Sequence, residues 1–332
     1  MQQGVETHVF SGAQASFSVN QCAPITVTAG QTAFENGTDI RSTTRFDVAS
    51  LTKLFTTTLA LALVDAGTLT LDTRIWNGFT LESLLAHESG LPAWRPLFES
   101  VSMKVRNSPS AYEQIIHEVL NISPILPAPV QAVYSDLGFI GLGHHLQRIT
   151  GKSLSMLVKD HITEPLRMAR TCFAPMLPAD KTNVACTEQC PWRNRVLQGE
   201  VHDDNTWTMG GIAGHAGIFS TAEDMTHFGI AWLLALTSDG IVKTTTAQRA
   251  VQRRSGGRGL GFDLKSPGAS SLGEAASDNT FGHLGFTGTS LWIDPQKQAV
   301  ICLLTNRVHP TRDNLRIREF RPFFHNLFFG SV

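Results

Sequence analysis

The chain has 332 residues, 42% hydrophobic and 17% charged, which is enough apolar matter for one large domain or two modest ones and too much for a disordered chain. Its 27 Lys and Arg against 28 Asp and Glu leave a net charge of −1, so a basic nucleic-acid footprint is excluded, and no polybasic run marks a membrane surface. Cys22, Cys172, Cys186, Cys190 and Cys302 are an odd set spread over a long chain and make no disulfide framework.

The opening MQQGVETHVF carries neither a positive n-region nor an apolar h-region. The expected location is therefore cytoplasmic as written, or periplasmic or secreted if a leader has been trimmed. Ala15–Val19 and Ile25–Ala29 are strand-like runs and predict an antiparallel pair. Phe46–Lys53 then leads into LFTTTLALALVDAG, apolar almost all round, which predicts a buried helix ended by Gly67. Its apolar stretch, Leu54–Val64, is interrupted by threonines and is too short to span a bilayer.

Thr80–His87 predicts a short helix stopped by Gly90 and Pro92, and Tyr112–Leu120 and Leu137–Ile149 have helical spacing. Ala169–Gly217 is aperiodic, rich in Gly, Pro and paired Asp, and predicts a long functional loop. Ser220-Thr221-Ala222-Glu223 fits a capping box that opens a helix to about Leu236. Strands are expected at Leu260–Leu264, Phe281–Phe286, Thr289–Ile293 and Ala299–Thr305. A helix over Ile317–Phe328 follows, with Pro322 limiting its first turn and Phe320, Phe323, Phe324, Leu327 and Phe328 forming a packing face. Strands at both ends around a helical middle predict an α+β fold. Residues 1–75 and 222–332 would build the sheet domain, and 76–221 an inserted helical and loop-rich region.

Ser50-x-x-Lys53 sits at the mouth of the buried helix, where one helical turn brings the ammonium back toward the hydroxyl. The helix N-terminus adds free N–H groups and positive potential that favour an oxyanion beside Ser50. Taken alone the spacing favours the plainer reading, an N-terminal Ser with an ordinary solvated Lys, because so short a motif often matches by chance. Two further segments change its weight: Tyr134-Ser135-Asp136 at the start of a helix, and Gly282-His283-Leu284-Gly285-Phe286-Thr287-Gly288 on a late strand.

With that ordered triple the sequence resembles the serine β-lactamase and penicillin-binding-protein superfamily, and most of all its class C β-lactamase-like, esterase-like branch. Ser83–Pro92 (SLLAHESGLP), Glu164–Met168 (EPLRM) and Gly217–Asp224 (GIFSTAED) are similar to further family phrases. The resemblance implies a mostly antiparallel five-stranded sheet flanked by helices. It implies Ser50 as the acylated nucleophile, Lys53 as its proton acceptor or relay, and Tyr134 as the group passing a proton to the leaving group. The Ser50 and Phe286 N–H groups would form the oxyanion hole, while Gly285, Thr287 and Asp136 would bind substrate.

Two departures shape the expectation. Asp136 stands where better-known relatives have Asn; ionised, it would hold Lys53 as ammonium, whereas as a neutral acid it would only hydrogen-bond. His283 replaces a lysine that helps hold a substrate carboxylate, which shifts the expected substrate toward uncharged esters or amides. Residues 199–205 and 210–217 read either as a cleft rim, with His202 and His215 offering hydrogen bonds to substrate, or as a structural loop. Their glycines do not fit a phosphate loop. Cys172, Cys186, Cys190 and His202 match zinc spacing poorly and read better as buried thiols and a ring.

The expected activity is a serine hydrolase without metal or organic cofactor, acting through a Ser50 acyl-enzyme on a small ester, amide or lactam. The rivals are a non-turnover sensor of penicillin or peptidoglycan fragments and a dead scaffold. The expected partner is a small-molecule substrate, neither nucleic acid nor membrane.

Overall fold

The computed structural model describes residues 1–125, 132–174, 182–254, 257–266, 268 and 270–332. Near the N-terminus β1 (Gly12–Val19) and β2 (Ile25–Gly30) pair antiparallel, with Phe17 opposite Ile25. A two-residue strand, β3 (Phe46–Asp47), leads through a 3-10 turn at Ala49–Leu51 into α1 (Thr52–Asp65). Every residue of α1 from Thr52 to Leu61 is buried. Three of its four buried threonines, Thr52, Thr56 and Thr58, find a local or tertiary hydrogen-bond partner for the hydroxyl, and among the described residues that of Thr57 does not. Thr56 donates to the Gly214 carbonyl at 2.7 Å, and Thr58 donates to Leu54 O while accepting the Trp232 indole N–H at 3.0 Å.

The helical region contains α2 (Leu81–Leu85), α3 (Pro109–Leu120) and α4 (Asp136–Thr150). Thr80, Ser108 and Ser135 cap them by accepting backbone N–H groups of the first turn. Gly151 closes α4 in the left-handed conformation, φ +69°, where a glycine carries no steric cost. Alternate faces of α4 serve two apolar clusters. Phe139, Leu142 and Leu146 pack against α1, while Leu137 and Ile140 pack with Trp76, Ile115 and Val119.

The stretch 169–217 carries short elements. Among them are β4 (Cys172–Phe173), a ribbon of Gln189–Cys190 with Arg195–Val196, and a helical turn at Asp204–Thr208. Residues 175–181 of the predicted loop lie outside the described residues. Next, β5 (Ile218–Ser220) pairs antiparallel with both β3 and β4. The cap of α5 (Ala222–Ala235) is Thr221, not the predicted Ser220. Ser220 still belongs to β5, opposite Phe46, and its hydroxyl meets that of Thr171 at 2.7 Å, so the first free side chain able to cap is one residue on.

Four more strands, β6 (Asp263–Leu264), β7 (Phe281–Leu284), β8 (Ser290–Asp294) and β9 (Ala299–Thr305), complete a sheet of order β6-β7-β8-β9-β1-β2. Every neighbouring pair in it is antiparallel; the strand expected at Leu260–Leu264 shortens to the two-residue edge strand β6, which makes the sheet six-stranded where the resemblance implied five. α5 lies against this sheet so closely that a Cβ on Gly229 would come within 2.5 Å of Val300. Behind α5 lies α1, joined to it by a Phe55–Phe228 stack at 4.7 Å.

The last helix, α6 (Ile317–Phe329), packs through Phe320 on Phe10 and Phe328 on Phe17. The predicted packing face is corrected in part: Phe323 and Leu327 are 52% and 58% exposed, because the sheet covers only one side of the helix. Pro322 sits in the second turn, and α6 continues through it to Phe329. Among the described residues no helix is long and apolar enough to cross a membrane.

Candidate active site

Ser50 is held by a turn fixed from three directions. The buried Asp47 carboxylate accepts the Ala49 N–H at 2.8 Å and the His202 N–H at 2.7 Å, tying the turn to the 199–217 segment. Thr287 and Thr289 donate their hydroxyls to the carbonyls of Asp47 and Val48 at 2.7 and 3.0 Å. A Cβ on Gly285 would lie 2.6 Å from Val48 O, so the chain leaving β7 passes directly against the serine turn. Ala49 adopts φ +49°, a left-handed conformation that costs an alanine roughly 1–2 kcal/mol and that these contacts hold in place.

One helical turn after Ser50, Lys53 is fully buried beneath the cleft. Its Nζ donates to Ser50 Oγ at 3.0 Å, lies 2.6 Å from Asp136 Oδ1, and stands 4.7 Å from the centre of the Tyr134 ring. Burial disfavours the Lys53 charge, but the Asp136 carboxylate and Tyr134 outweigh it and leave its pKa above the ordinary amine value. Of the two readings of Asp136, the geometry is that of an ion pair holding Lys53 as ammonium. The Tyr134 phenol, within hydrogen-bonding reach of Lys53 and Ser50, is pushed up by burial against the pull of Lys53 and stays protonated at neutral pH.

Two imidazoles bracket the Tyr134 ring. His283 on β7 is 5.7 Å away, and its Nδ1–H donates to Leu284 O at 2.6 Å, leaving Nε2 buried without a hydrogen-bond partner among the described residues. His87, within the SLLAHESGLP segment, has no role implied by the sequence; it is 4.6 Å away and accepts the Ser135 N–H on Nδ1 at 3.0 Å. Burial lowers the pKa of both rings, that of His87 furthest, with Arg258 and Lys53 adding to the shift, so both are neutral. The Arg258 guanidinium lies 4.9 Å from Tyr134 and is paired with Asp263.

A cleft of about 650 Å³ brings most of the expected residues together: Ser50, Tyr134, Asp136, His283, Gly285, Phe286, His202 and His215 all line it. Thr287 is not among the cleft-lining residues; its buried hydroxyl donates to Asp47 O and braces the serine turn. The two rim histidines are also engaged within the protein. His202 faces Glu188 at 3.3 Å and stacks on Phe286, and His215 Nε2 meets Asp203 Oδ1 at 3.0 Å. Arg258, Arg307, Arg312, Arg318 and Arg321 line the cleft as well, and the sequence reading missed them. Five arginines within residues 307–321 were the available signal. Among the described residues Cys172, Cys186 and Cys190 form no disulfide.

An antiparallel sheet flanked by helices, with serine, lysine and tyrosine converging at one cleft, is the architecture of a serine-hydrolase-type protein. A family model described as "Beta-lactamase" matches residues 1–321, and the chain belongs to that family. It is 30% identical over 319 residues to the N-acetylmuramyl-L-alanine amidase of Bacillus subtilis (strain 168), a match covering 81% of this chain and 69% of the relative. It is 29% identical over 324 residues to the "Putative D-alanyl-D-alanine carboxypeptidase" of Escherichia coli (strain K12), covering 84% and 73%. Among solved structures, the penicillin-binding protein from Bacillus halodurans superposes with a TM-score of 0.74 at 19% identity, covering 97% of this chain and 99% of that one. EstCE1, a hydrolase with promiscuous acyltransferase activity, gives 0.75 at 18%, covering 97% and 96%.

Proposed function

We propose that the protein is a class C-like serine hydrolase that transfers a small acyl group from an ester or amide, including D-amino-acid amides or peptides, to water through an acyl-enzyme on Ser50. The observation that carries this reading is Lys53 Nζ at 3.0 Å from Ser50 Oγ and 2.6 Å from Asp136, with Tyr134 beside both at the cleft. The printed names of the amidase and carboxypeptidase relatives favour an amide bond as the target.

Because Lys53 donates to Ser50 Oγ, the serine's own proton is free to point at Tyr134. Ser50 Oγ bonds to the substrate carbonyl carbon while its proton passes to Tyr134 Oη, and the phenol proton passes to the departing nitrogen or oxygen. No free base is needed, and the Lys53 charge stabilises the negative charge that develops along the relay. The carbonyl oxygen gathers charge against the N–H groups of Ser50 and Phe286, and the latter finds no acceptor among the described residues. Water then enters by the same relay in reverse and releases the acid.

The test is p-nitrophenyl acetate, nitrocefin and a panel of D-amino-acid amides offered to the wild type and to Ser50→Ala. Sustained turnover and fluorophosphonate labelling that disappear in Ser50→Ala are expected. A single stoichiometric burst would replace the hydrolase with the sensor reading, and labelling that persists in Ser50→Ala would reject the nucleophile.

A further inference from the structure

Arg321 is buried on α6, and among the described residues it has no carboxylate partner. Its Nη2 donates to two backbone carbonyls, Gly285 O at 2.7 Å and Thr289 O at 2.8 Å, while Nε is buried and unpartnered. Holding a largely buried charge without a carboxylate partner is costly; burial and the neighbouring Arg307 depress the guanidinium to about 9. The Gly285 carbonyl belongs to the same planar peptide unit as the Phe286 N–H. A cation on the oxygen end of an amide draws electron density from its nitrogen end and makes that N–H a stronger donor. The Gly285 N–H donates to Thr289 O at 2.7 Å, so the same guanidinium also closes the turn that aims the peptide.

We infer that Arg321 is a positioning residue for the reaction, polarising the Gly285–Phe286 peptide so that its N–H holds the substrate's oxyanion more strongly. The inference rests on the acyl-enzyme reading above and extends it to a residue outside the Ser–Lys–Tyr group. Arg307 serves as the internal comparison. Its Nε donates to Phe286 O at 2.8 Å, on the next peptide along, so it supports the same loop without charging the amide that carries the Phe286 N–H.

The experiment follows acylation and turnover of p-nitrophenyl acetate in Arg321→Gln, Arg321→Lys and Arg307→Gln. It also records the infrared stretch of the ¹³C-carbonyl acetyl-enzyme. Loss of one oxyanion donor costs about 10²–10³ in turnover, so weakening one in Arg321→Gln is expected to lower kcat by about 30–100-fold with KM little changed. The acyl-carbonyl band should move to higher frequency, a shift that loss of packing alone does not produce. Arg321→Lys keeps the charge but cannot span both carbonyls, and falls between Gln and wild type in rate and band position. Arg307→Gln loses less than Arg321→Gln. A folded Arg321→Gln within threefold of wild type and with an unmoved band overturns the inference, as does an equal loss in Arg307→Gln. If Arg321→Gln does not fold, the Lys variant decides, and a wild-type band there also overturns it. A wild type that never acylates Ser50 fails the preceding reading, and this inference falls with it.

Discussion

Lys53 and Arg321 are both buried cations at one cleft, and the protein compensates them differently. Lys53 lies 2.6 Å from a carboxylate, and its charge is strengthened by the partner. Arg321 has peptide carbonyls as its hydrogen-bond partners among the described residues, and its charge is weakened. A carboxylate neutralises a cation locally and fixes its protonation. A carbonyl passes part of the cation's field through the peptide to the N–H beyond it. The first arrangement suits a group that must remain ammonium beside Ser50, and the second suits one that acts through the backbone.

The largest test removes the paired cation. Lys53→Met leaves Asp136 without its counter-charge and should slow acylation by about 10²–10⁴-fold. It should also lower stability by up to about 3 kcal/mol, below the range for fully buried pairs because Asp136 is partly exposed. Burst kinetics and urea denaturation measure the two effects separately.

Asp136→Asn sharpens the same side. The carboxylate raises Lys53, so its removal lowers the lysine pKa, and a reaction that needs the ammonium loses activity at lower pH than before. The alkaline limb of the kcat/KM profile should therefore move down. A gain of activity on the acid side instead would show the free amine to be the working form.

A smaller effect concerns His325, one turn beyond Arg321 on α6. It is buried between Ser290 and the Ser271 carbonyl, and burial lowers its pKa to about 3 from an ordinary 6.5. Below pH 6.5 the unfolded chain binds a proton that the native imidazole refuses. The stability this group contributes is therefore complete above 6.5 and is lost as pH falls toward 3. His325→Gln should flatten the slope of unfolding free energy against pH across that interval, read by denaturant titrations at several pH values. Smallest of all, Thr221→Ala removes the α5 cap and should cost about 1 kcal/mol with kcat unaffected, measured by the denaturation midpoint.

What could be read in advance was local. The antiparallel pair at β1 and β2, the buried α1 and its end before Gly67, the start of α4 at Ser135-Asp136 and the whole of β9 follow from contiguous apolar patterns and caps. The Ser50, Lys53 and Tyr134 motifs were equally visible, because Ser50 and Lys53 are one helical turn apart and Tyr134 immediately precedes a helix N-cap. Other features depend on what packs against them. Ser220 could not be told from Thr221 as a cap until β5 claimed it, and Phe323 and Leu327 look like core residues until the sheet is found to cover one side of α6.

By itself, then, the sequence determined the longer helices and strands and which residue types stand ready for acyl transfer, since both depend on neighbours a few positions apart, whereas short elements such as β4 and the Asp204–Thr208 turn did not show in it. Only the tertiary structure decided that Asp136 meets Lys53, that His87 and His283 flank Tyr134, and that a guanidinium 36 residues beyond Gly285 rests on its carbonyl. Those contacts join distant stretches of chain, and the charge each group carries is set by the burial and partners that folding alone supplies.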